Sequence, residues 1–279
     1  MNYAEYVKSQ VTESDWEVIQ KLGIDLDCSW GELAKDFVNA PKRRKRELPF
    51  LQSILQAYEE PKIFDACLGT GATTIGLKFL GYDLVSNEVD SDLEKIAREE
   101  AAKIGESLAV THYDWRDPKL REEKREQFDI VLCLGNSLTY LFKKEDQLKA
   151  LRNFRDILKP KGRLLIDTRF YERFMYPKDI FPESEFKFSG EIVYCGKDKV
   201  SVKPVHTSPT MVVLEYHHKE KGITRHLPVY PFKTNEIHDL IEEAGFNVRH
   251  VYADYGWAIP GRNAEFITYE AKKEQLSSQ

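Results

Sequence analysis

The sequence predicts an α/β fold: a mostly parallel sheet of seven strands, carrying an antiparallel β insertion and preceded by an N-terminal helical segment. Three observations predict it. Between residues 62 and 168, short apolar runs of strand length alternate with stretches of helix length, the pattern of a parallel sheet covered on both faces. The first strand runs directly into Gly69-Thr70-Gly71 and a helix start, a junction that turns backbone N–H groups toward a ligand. After residue 185 the chain changes to short β-branched and aromatic runs divided by turn formers, which read as antiparallel strands.

In chain order, residues 1–60 read as polar and helical, with a basic run Lys42-Arg43-Arg44-Lys45-Arg46 ahead of an apolar periodic stretch at 48–58. Strands are expected at 62–66, 82–87, 108–112, 128–133 and 162–168, and helices at 72–80, 91–104 and 144–158. The highly charged segment 116–127 reads as a solvated helix. Residues 185–230 offer strands near 191–195, 200–204, 211–217 and 224–230. A helix over 235–244 follows and ends at Gly245 in a C-cap position. Strands at 248–253 and 265–271 then complete the main sheet. The expected organisation is a helical cover (1–60), a ligand-binding core (61–184 and 231–273) and an insertion (185–230) placed over the ligand edge. The tail from 274 to 279 reads as frayed.

Composition narrows the function classes. A chain of 279 residues with 42% hydrophobic residues can bury one large core, or a core plus a sub-domain. Its 46 acidic residues nearly balance 41 basic ones, for a net charge of -5, so there is no electrostatic footprint for nucleic acid and the expected partners are small molecules. Cys28, Cys67, Cys133 and Cys195 show no C-x-x-C spacing. They read as buried reduced thiols, with no disulfide and no metal expected. The N-terminus carries acidic residues where a signal peptide needs an apolar run, and no stretch approaches about 18 apolar residues. The expectation is a cytoplasmic protein with no membrane partner; its oligomeric state is left open.

The chemistry-bearing residues fall at successive strand ends. Asp65-Ala66-Cys67-Leu68-Gly69-Thr70-Gly71 lacks the first glycine of a dinucleotide-binding G-x-G-x-x-G, which leaves a pyrophosphate cradle poorly supported. Glu88 closes the second strand, Asp114-Trp115 follows the third, and Leu134-Gly135-Asn136-Ser137 follows the fourth. Taken singly, Glu88 and Asp90 each read equally as a cap for the next helix, and Trp115 as a packing residue. Acid-x-x-x-Gly-x-Gly followed by an acid at the end of the second strand resembles the class I S-adenosylmethionine-dependent methyltransferases, whose sheet is Rossmann-like. That resemblance implies S-adenosylmethionine as cofactor and S-adenosylhomocysteine as product. It sets Gly69 and Gly71 against the cofactor's amino-acid part, Glu88 on the ribose hydroxyls, Asp114 on the adenine amine and Trp115 on or beside the ring, and counts Asp65, Ala66 and Leu134 as further cofactor-binding residues.

A narrower resemblance follows from Cys133-Leu134-Gly135-Asn136-Ser137-Leu138 and from Leu165-Ile166-Asp167-Thr168-Arg169-Phe170-Tyr171. With Tyr194-Cys195-Gly196, Val200-Ser201-Val202, Tyr230-Pro231 and Ala271-Lys272-Lys273-Glu274, these are similar to the glycine N-methyltransferase and glycine/sarcosine N-methyltransferase family. The resemblance implies N-methylation of a small amino acid such as glycine, sarcosine or dimethylglycine. Arg169 would grip the substrate carboxylate through two parallel charge-assisted bonds. Asn136, Tyr194 and Tyr230 would face the amine or the sulfonium, and Arg43 the cofactor carboxylate. Asn136 also reads as an Asx turn, the two tyrosines as strand packing, and the Arg43 run as a solvated face. Phe170 and Tyr140 depart from the family pattern, where asparagine and histidine are usual, as does a segment before Trp30 without the expected tyrosine pattern. The competing functions are a methyltransferase for another carboxylated or aromatic metabolite, and a non-catalytic S-adenosylmethionine-binding regulatory protein.

Overall fold

The first three strands of the central sheet are short, three or four residues each, because the chain needs only a few buried residues to cross it. In the computed structural model, which describes residues 3–26, 34, 37–175, 186–187, 200–256 and 264–274, β1 is Ile63–Asp65, all three buried. It pairs in parallel with β2 (Leu84–Asn87) on one side and β4 (Phe128–Cys133) on the other. Beyond β2 lies β3 (Ala109–Thr111), and beyond β4 lies β5 (Leu158–Arg169), again parallel. Two later strands, β10 (Phe246–Ala253) and β11 (Phe266–Lys273), join antiparallel to give the order β10-β11-β5-β4-β1-β2-β3. The expected seven-stranded, mostly parallel sheet is present. Successive crossovers run outward from β1 to β3, then return to place β4 on the other side of β1, so the topology switches direction between β1 and β4. Ligands on open α/β sheets sit in the crevice outside the strand ends at this point.

Alternate residues of these strands feed two cores, as the period of two requires. Phe64, Val131, Cys133, Leu164 and Ile166 pack with Leu148, Leu151 and Phe154 of α7 (Lys144–Ile157) and with Ile237, Leu240 and Ile241 of α9 (Thr234–Glu243). Ile63, Ile130, Leu132 and Leu165 pack on the opposite face with Phe50, Leu51, Ile54 and Leu55 of α3 (Ala40–Leu55) and Leu77 of α4 (Ala72–Phe79). The N-terminal segment adds α1 (Tyr3–Gln10) and α2 (Glu13–Lys21). Between β2 and β4 lie α5 (Ser91–Ala102) and α6 (Pro118–Lys124), the latter being the expected charged helix. No helix among the described residues is long and apolar enough to cross a membrane.

After β5 and the short α8 (Glu172–Met175), the chain forms a second, antiparallel sheet from β6 (Phe186–Lys187), β7 (Val200–Thr207), β8 (Val212–His218) and β9 (Ile223–Val229). One face carries Val200, Val202, Val212, Leu214 and Leu227 against Phe37 and Tyr171. The other offers Met211 and Val213 to Val7, Ile19 and Ile24 of the N-terminal segment. The expected strand at 191–195 lies outside the described residues, as do Cys28 and Cys195; Cys67 and Cys133 are free thiols.

Candidate active site

The turn after β1 is built by hydrogen bonds that fix its backbone toward the sheet edge. Asp65 is 1% exposed; its carboxylate accepts from Cys67 N at 3.2 Å and from Thr74 Oγ1 at 2.5 Å, binding the strand end to α4. Burial raises its carboxyl above the ordinary aspartate value. Gly69 and Gly71 take φ of +54° and +82°, values that cost an L side chain on the order of 1–2 kcal/mol. They differ in what surrounds them. A Cβ on Gly71 would stand 2.6 Å from Ile75 Cδ1, whereas a Cβ on Gly69 would meet nothing within 4 Å. Gly69 is therefore bare backbone facing open space. Gly71 caps α4 with no side chain over its first turn, which leaves that helix end to a ligand.

At the tip of β2, Glu88 ties this turn to the next strand. Its Oε2 accepts from Gly69 N at 2.8 Å, and its Oε1 from Val89 N and Asp90 N, each at 3.0 Å. Desolvation raises its carboxyl, and the three amides work against that rise. By acceptor count, Oε2 keeps one position for a ligand hydroxyl. The choice between Glu88 and Asp90 as helix cap is settled locally: Asp90 accepts from Asp92 N and Leu93 N and caps α5, a contact worth about 1 kcal/mol.

After β3, Asp114 is exposed and forked onto Arg116, Nε to Oδ1 at 2.8 Å and Nη2 to Oδ2 at 2.5 Å, which holds its carboxyl below the usual value. Trp115 reaches back across the sheet edge: its Nε1–H donates to Ala66 O at 2.8 Å, and its ring meets Phe154 edge-on at 5.7 Å. Trp115→Phe keeps a ring there but leaves the buried Ala66 carbonyl without that donor, a loss of about 1–3 kcal/mol. The expected result is a melting temperature lower by roughly 2–10 °C and weaker cofactor binding by calorimetry. An unchanged cofactor Kd would remove Trp115 from the site.

The tips of β4 and β5 are locked together by Asn136, which sits at φ +63°. Its N–H donates to Asp167 Oδ1 at 2.6 Å, its Oδ1 accepts from Arg169 N at 2.8 Å, and its Nδ2 donates to Tyr171 OH at 2.7 Å. These are long-range braces, not the local Asx turn read as the alternative from sequence. Asp167, fully buried, also accepts from Tyr255 OH at 2.6 Å, and burial raises its carboxyl. Leu134 lies beside this brace, its carbonyl accepting from Cys67 Sγ and Ser137 Oγ, each at 2.9 Å.

Arg169 ends β5 at 4% exposure, with Nη1 donating to Glu265 Oε1 at 2.8 Å and its guanidinium 4.6 Å from the Phe266 ring centroid. Burial is the largest single influence and would lower the guanidinium, but the Glu265 charge, Tyr216, Tyr171 and the hydrogen bond to Glu265 together outweigh it, and its pKa stands above the ordinary value. Tyr216 of β8 makes hydrogen-bonding contact with the same guanidinium, Tyr171 lies close enough to act on it electrostatically, and Tyr140 lies beside these two phenols. Desolvation holds all three phenols above their usual range, so they offer neutral hydroxyls.

Arg43 turns inward from α3. It contacts Glu47 Oε2 at 2.6 Å and Thr73 Oγ1 at 3.0 Å, and its charge acts on Asp65 and Asp167 at two strand tips. The structure thus brings Arg43, Asp65, Ala66, Gly69, Gly71, Glu88, Trp115, Leu134, Asn136 and Arg169 to one edge of the sheet. Tyr230 stands somewhat apart: its N–H donates to Thr139 O at 2.8 Å and its hydroxyl donates to Glu236 in the first turn of α9. Tyr194 lies outside the described residues. Sequence reading missed Tyr216, Tyr255 and Glu265, each joined to the site by a contact distant in sequence or hidden in an apolar pattern, and Glu47, whose i,i+4 spacing from Arg43 was a local signal. It also missed the N-terminal contribution, because Tyr3 donates to Pro228 O and Tyr6 to Tyr140 O from a segment that lacked the expected pattern.

A family model described as a methyltransferase domain matches residues 63–162, the stretch from β1 into β5. The glycine/sarcosine N-methyltransferase of Aphanothece halophytica is 30% identical over 88% of this chain and 87% of its own length. That of Parasynechococcus marenigrum is 31% identical over 83% of this chain and 78% of its own. Among solved structures, an S-adenosylmethionine-dependent methyltransferase from Clostridium acetobutylicum superposes with a TM-score of 0.63 over 88% of this chain and 96% of that one, at 15% identity. At 30–31% identity over more than four fifths of its length, the protein belongs to the glycine/sarcosine N-methyltransferase family of class I S-adenosylmethionine-dependent methyltransferases.

Proposed function

We propose that this enzyme methylates the nitrogen of a small amino acid, glycine or sarcosine with dimethylglycine as a further acceptor, by direct transfer from S-adenosylmethionine. The observation that carries the reading is Arg169: a buried guanidinium at the end of β5, among neutral tyrosine hydroxyls and across the sheet edge from the glycine turn. The residues suit the cofactor. Gly69 presents backbone to open space, α4 offers an uncapped N-terminus, and Arg43 brings a cation for a carboxylate. When bound, the cofactor supplies an electrophilic methyl group on a positively charged sulfur.

The chain's own residues do the rest. Glu88 would hold a ribose hydroxyl through Oε2. Asp114 keeps one acceptor position, on Oδ2, beyond those taken by the Arg116 amide and guanidinium, enough for the adenine amine, and Trp115 would flank the ring. Arg169 would fix the direction and distance of the acceptor's carboxylate. The acceptor nitrogen, protonated near neutral pH, must release its proton to solvent before it can attack. Neutral hydroxyls of Tyr140, Tyr171 and Tyr216 would then present oxygens to the positive charge that develops on nitrogen. Alignment of the two reactants is the main contribution, with on the order of 7–11 kcal/mol as its upper range.

The test is methyl transfer from isotopically labelled cofactor to a panel of glycine, sarcosine, dimethylglycine, other carboxylates and aromatic hydroxyls, with products identified by mass. Label is expected in sarcosine from glycine, in dimethylglycine from sarcosine, and in the trimethylated betaine from dimethylglycine. Turnover confined to another carboxylate or an aromatic hydroxyl would overturn the amino-acid reading, and cofactor binding without turnover on any member of the panel would make the protein a binding regulator.

A further inference from the structure

Glu265 has no counterpart among the residues that the sequence marked, and the reaction above gives it no role. It is nevertheless 2% exposed, an unusual place for a carboxylate. Its position is fixed from three sides. Its N–H donates to Asp254 Oδ1 at 3.1 Å, the next amide, Phe266 N, donates to the same oxygen at 2.8 Å, and Phe170 N donates to Glu265 O at 2.8 Å. The antiparallel pairing of β11 with β5 sets Phe266 opposite Arg169. The guanidinium of Arg169 is therefore held twice from the start of β11: by Glu265 Oε1, one residue before the strand, at 2.8 Å, and over one face by the Phe266 ring at 4.6 Å.

A guanidinium carries its donors in one rigid plane, so fixing one N–H fixes the direction of the others. From this geometry we infer that Glu265 is a positioning residue: it holds one edge of Arg169 so that another edge is presented to the carboxylate of the amino-acid substrate. The inference rests on the proposed role of Arg169 as carboxylate anchor. It also separates two things that Glu265 could contribute, reach and charge. A positioning role depends on reach, because the oxygen must arrive at Nη1. Charge compensation alone depends on the negative charge and tolerates a displaced oxygen.

Two substitutions divide these contributions. Glu265→Gln keeps the length and an acceptor oxygen but removes the charge; Glu265→Asp keeps the charge and withdraws the oxygen by about 1.5 Å, one carbon–carbon bond. Steady-state kinetics with glycine as the varied substrate, and calorimetric titration of each variant with S-adenosylmethionine, give the readout. A positioning role raises the glycine KM of the Asp variant tenfold or more, with kcat and cofactor Kd near wild-type values, while Gln stays within threefold of wild type in KM. A Gln variant impaired as much as Asp, an Asp variant equal to wild type, or an Asp variant that fails to fold would each overturn the inference. Arg169→Lys run in parallel tests the underlying reading: an unchanged glycine KM there defeats the anchor itself, whatever the order of the Glu265 pair.

Discussion

Arg169→Lys is expected to raise the KM for glycine or sarcosine by roughly 10- to 150-fold, the equivalent of one lost charge-assisted hydrogen bond worth about 1.5–3 kcal/mol. The Kd for S-adenosylmethionine should stay within about threefold, because no hydrogen bond to Arg169 comes from the glycine turn or from Glu88. Lysine keeps the positive charge and therefore the compensation of Glu265. What it loses is the planar fork that meets both carboxylate oxygens at once. Arg169→Ala is the larger but less informative change. It would strand the buried Glu265 carboxylate, and breaking a buried pair from one side costs about 3–5 kcal/mol of stability. Its loss of activity would therefore mix unfolding with lost recognition. The Lys variant separates them: a raised KM at near-normal melting temperature supports the anchor, and a normal KM removes it.

The same pair of residues marks where sequence reading ends. The glycine turn was legible because its parts are neighbours: strand, Gly-Thr-Gly and helix start occupy consecutive positions, and each has a local steric reason to be there. The acid at the end of β2 and the Asp-Trp pair after β3 were legible because a parallel sheet brings every strand end to one edge. Arg169 and Glu265 are separated by 96 positions, and no local rule announces that an acid just before the last strand will turn inward onto a guanidinium. Tyr216 was hidden in another way. In β8 it is one aromatic among strand-forming residues, and only the packing of the second sheet sets its hydroxyl on Arg169. Asn136 was read as a ligand contact or a turn; its bonds brace two strand tips, which replaces the turn reading. The basic run around Arg43 is the intermediate case. Asn39 caps α3 by accepting from Lys42 N at 3.1 Å, and Glu47 stands one helical turn after Arg43 in an i,i+4 pair. Those spacings were present in the sequence and would have singled out Arg43 from the solvated cations beside it.

Gly69→Ala should separate cofactor binding from folding more cleanly than any other single substitution in the turn. At φ +54° with nothing within 4 Å of the new Cβ, the methyl group meets no protein atom, so the folding cost is the left-handed backbone alone, about 1–2 kcal/mol. That is a fall in melting temperature of roughly 2–8 °C. The space into which the methyl points is where the bound cofactor's amino-acid end would lie against bare backbone, and overpacking there costs about 1–3 kcal/mol. The Kd for S-adenosylmethionine is then expected to rise between about 5- and 150-fold. Gly71→Ala gives the contrast. Its Cβ points at Ile75 Cδ1, 2.6 Å away, and at Ala97 Cβ, 3.2 Å away, both inside the protein. Its penalty should appear first in stability, with Ile75 forced to move. Calorimetry and thermal unfolding on the two variants therefore predict opposite rankings, Gly69→Ala worse for binding and Gly71→Ala worse for folding. If Gly69→Ala bound the cofactor as wild type does, the open face of this turn would not be the cofactor's side, and the assignments of Arg43 and Glu88 to the same ligand would lose their common ground.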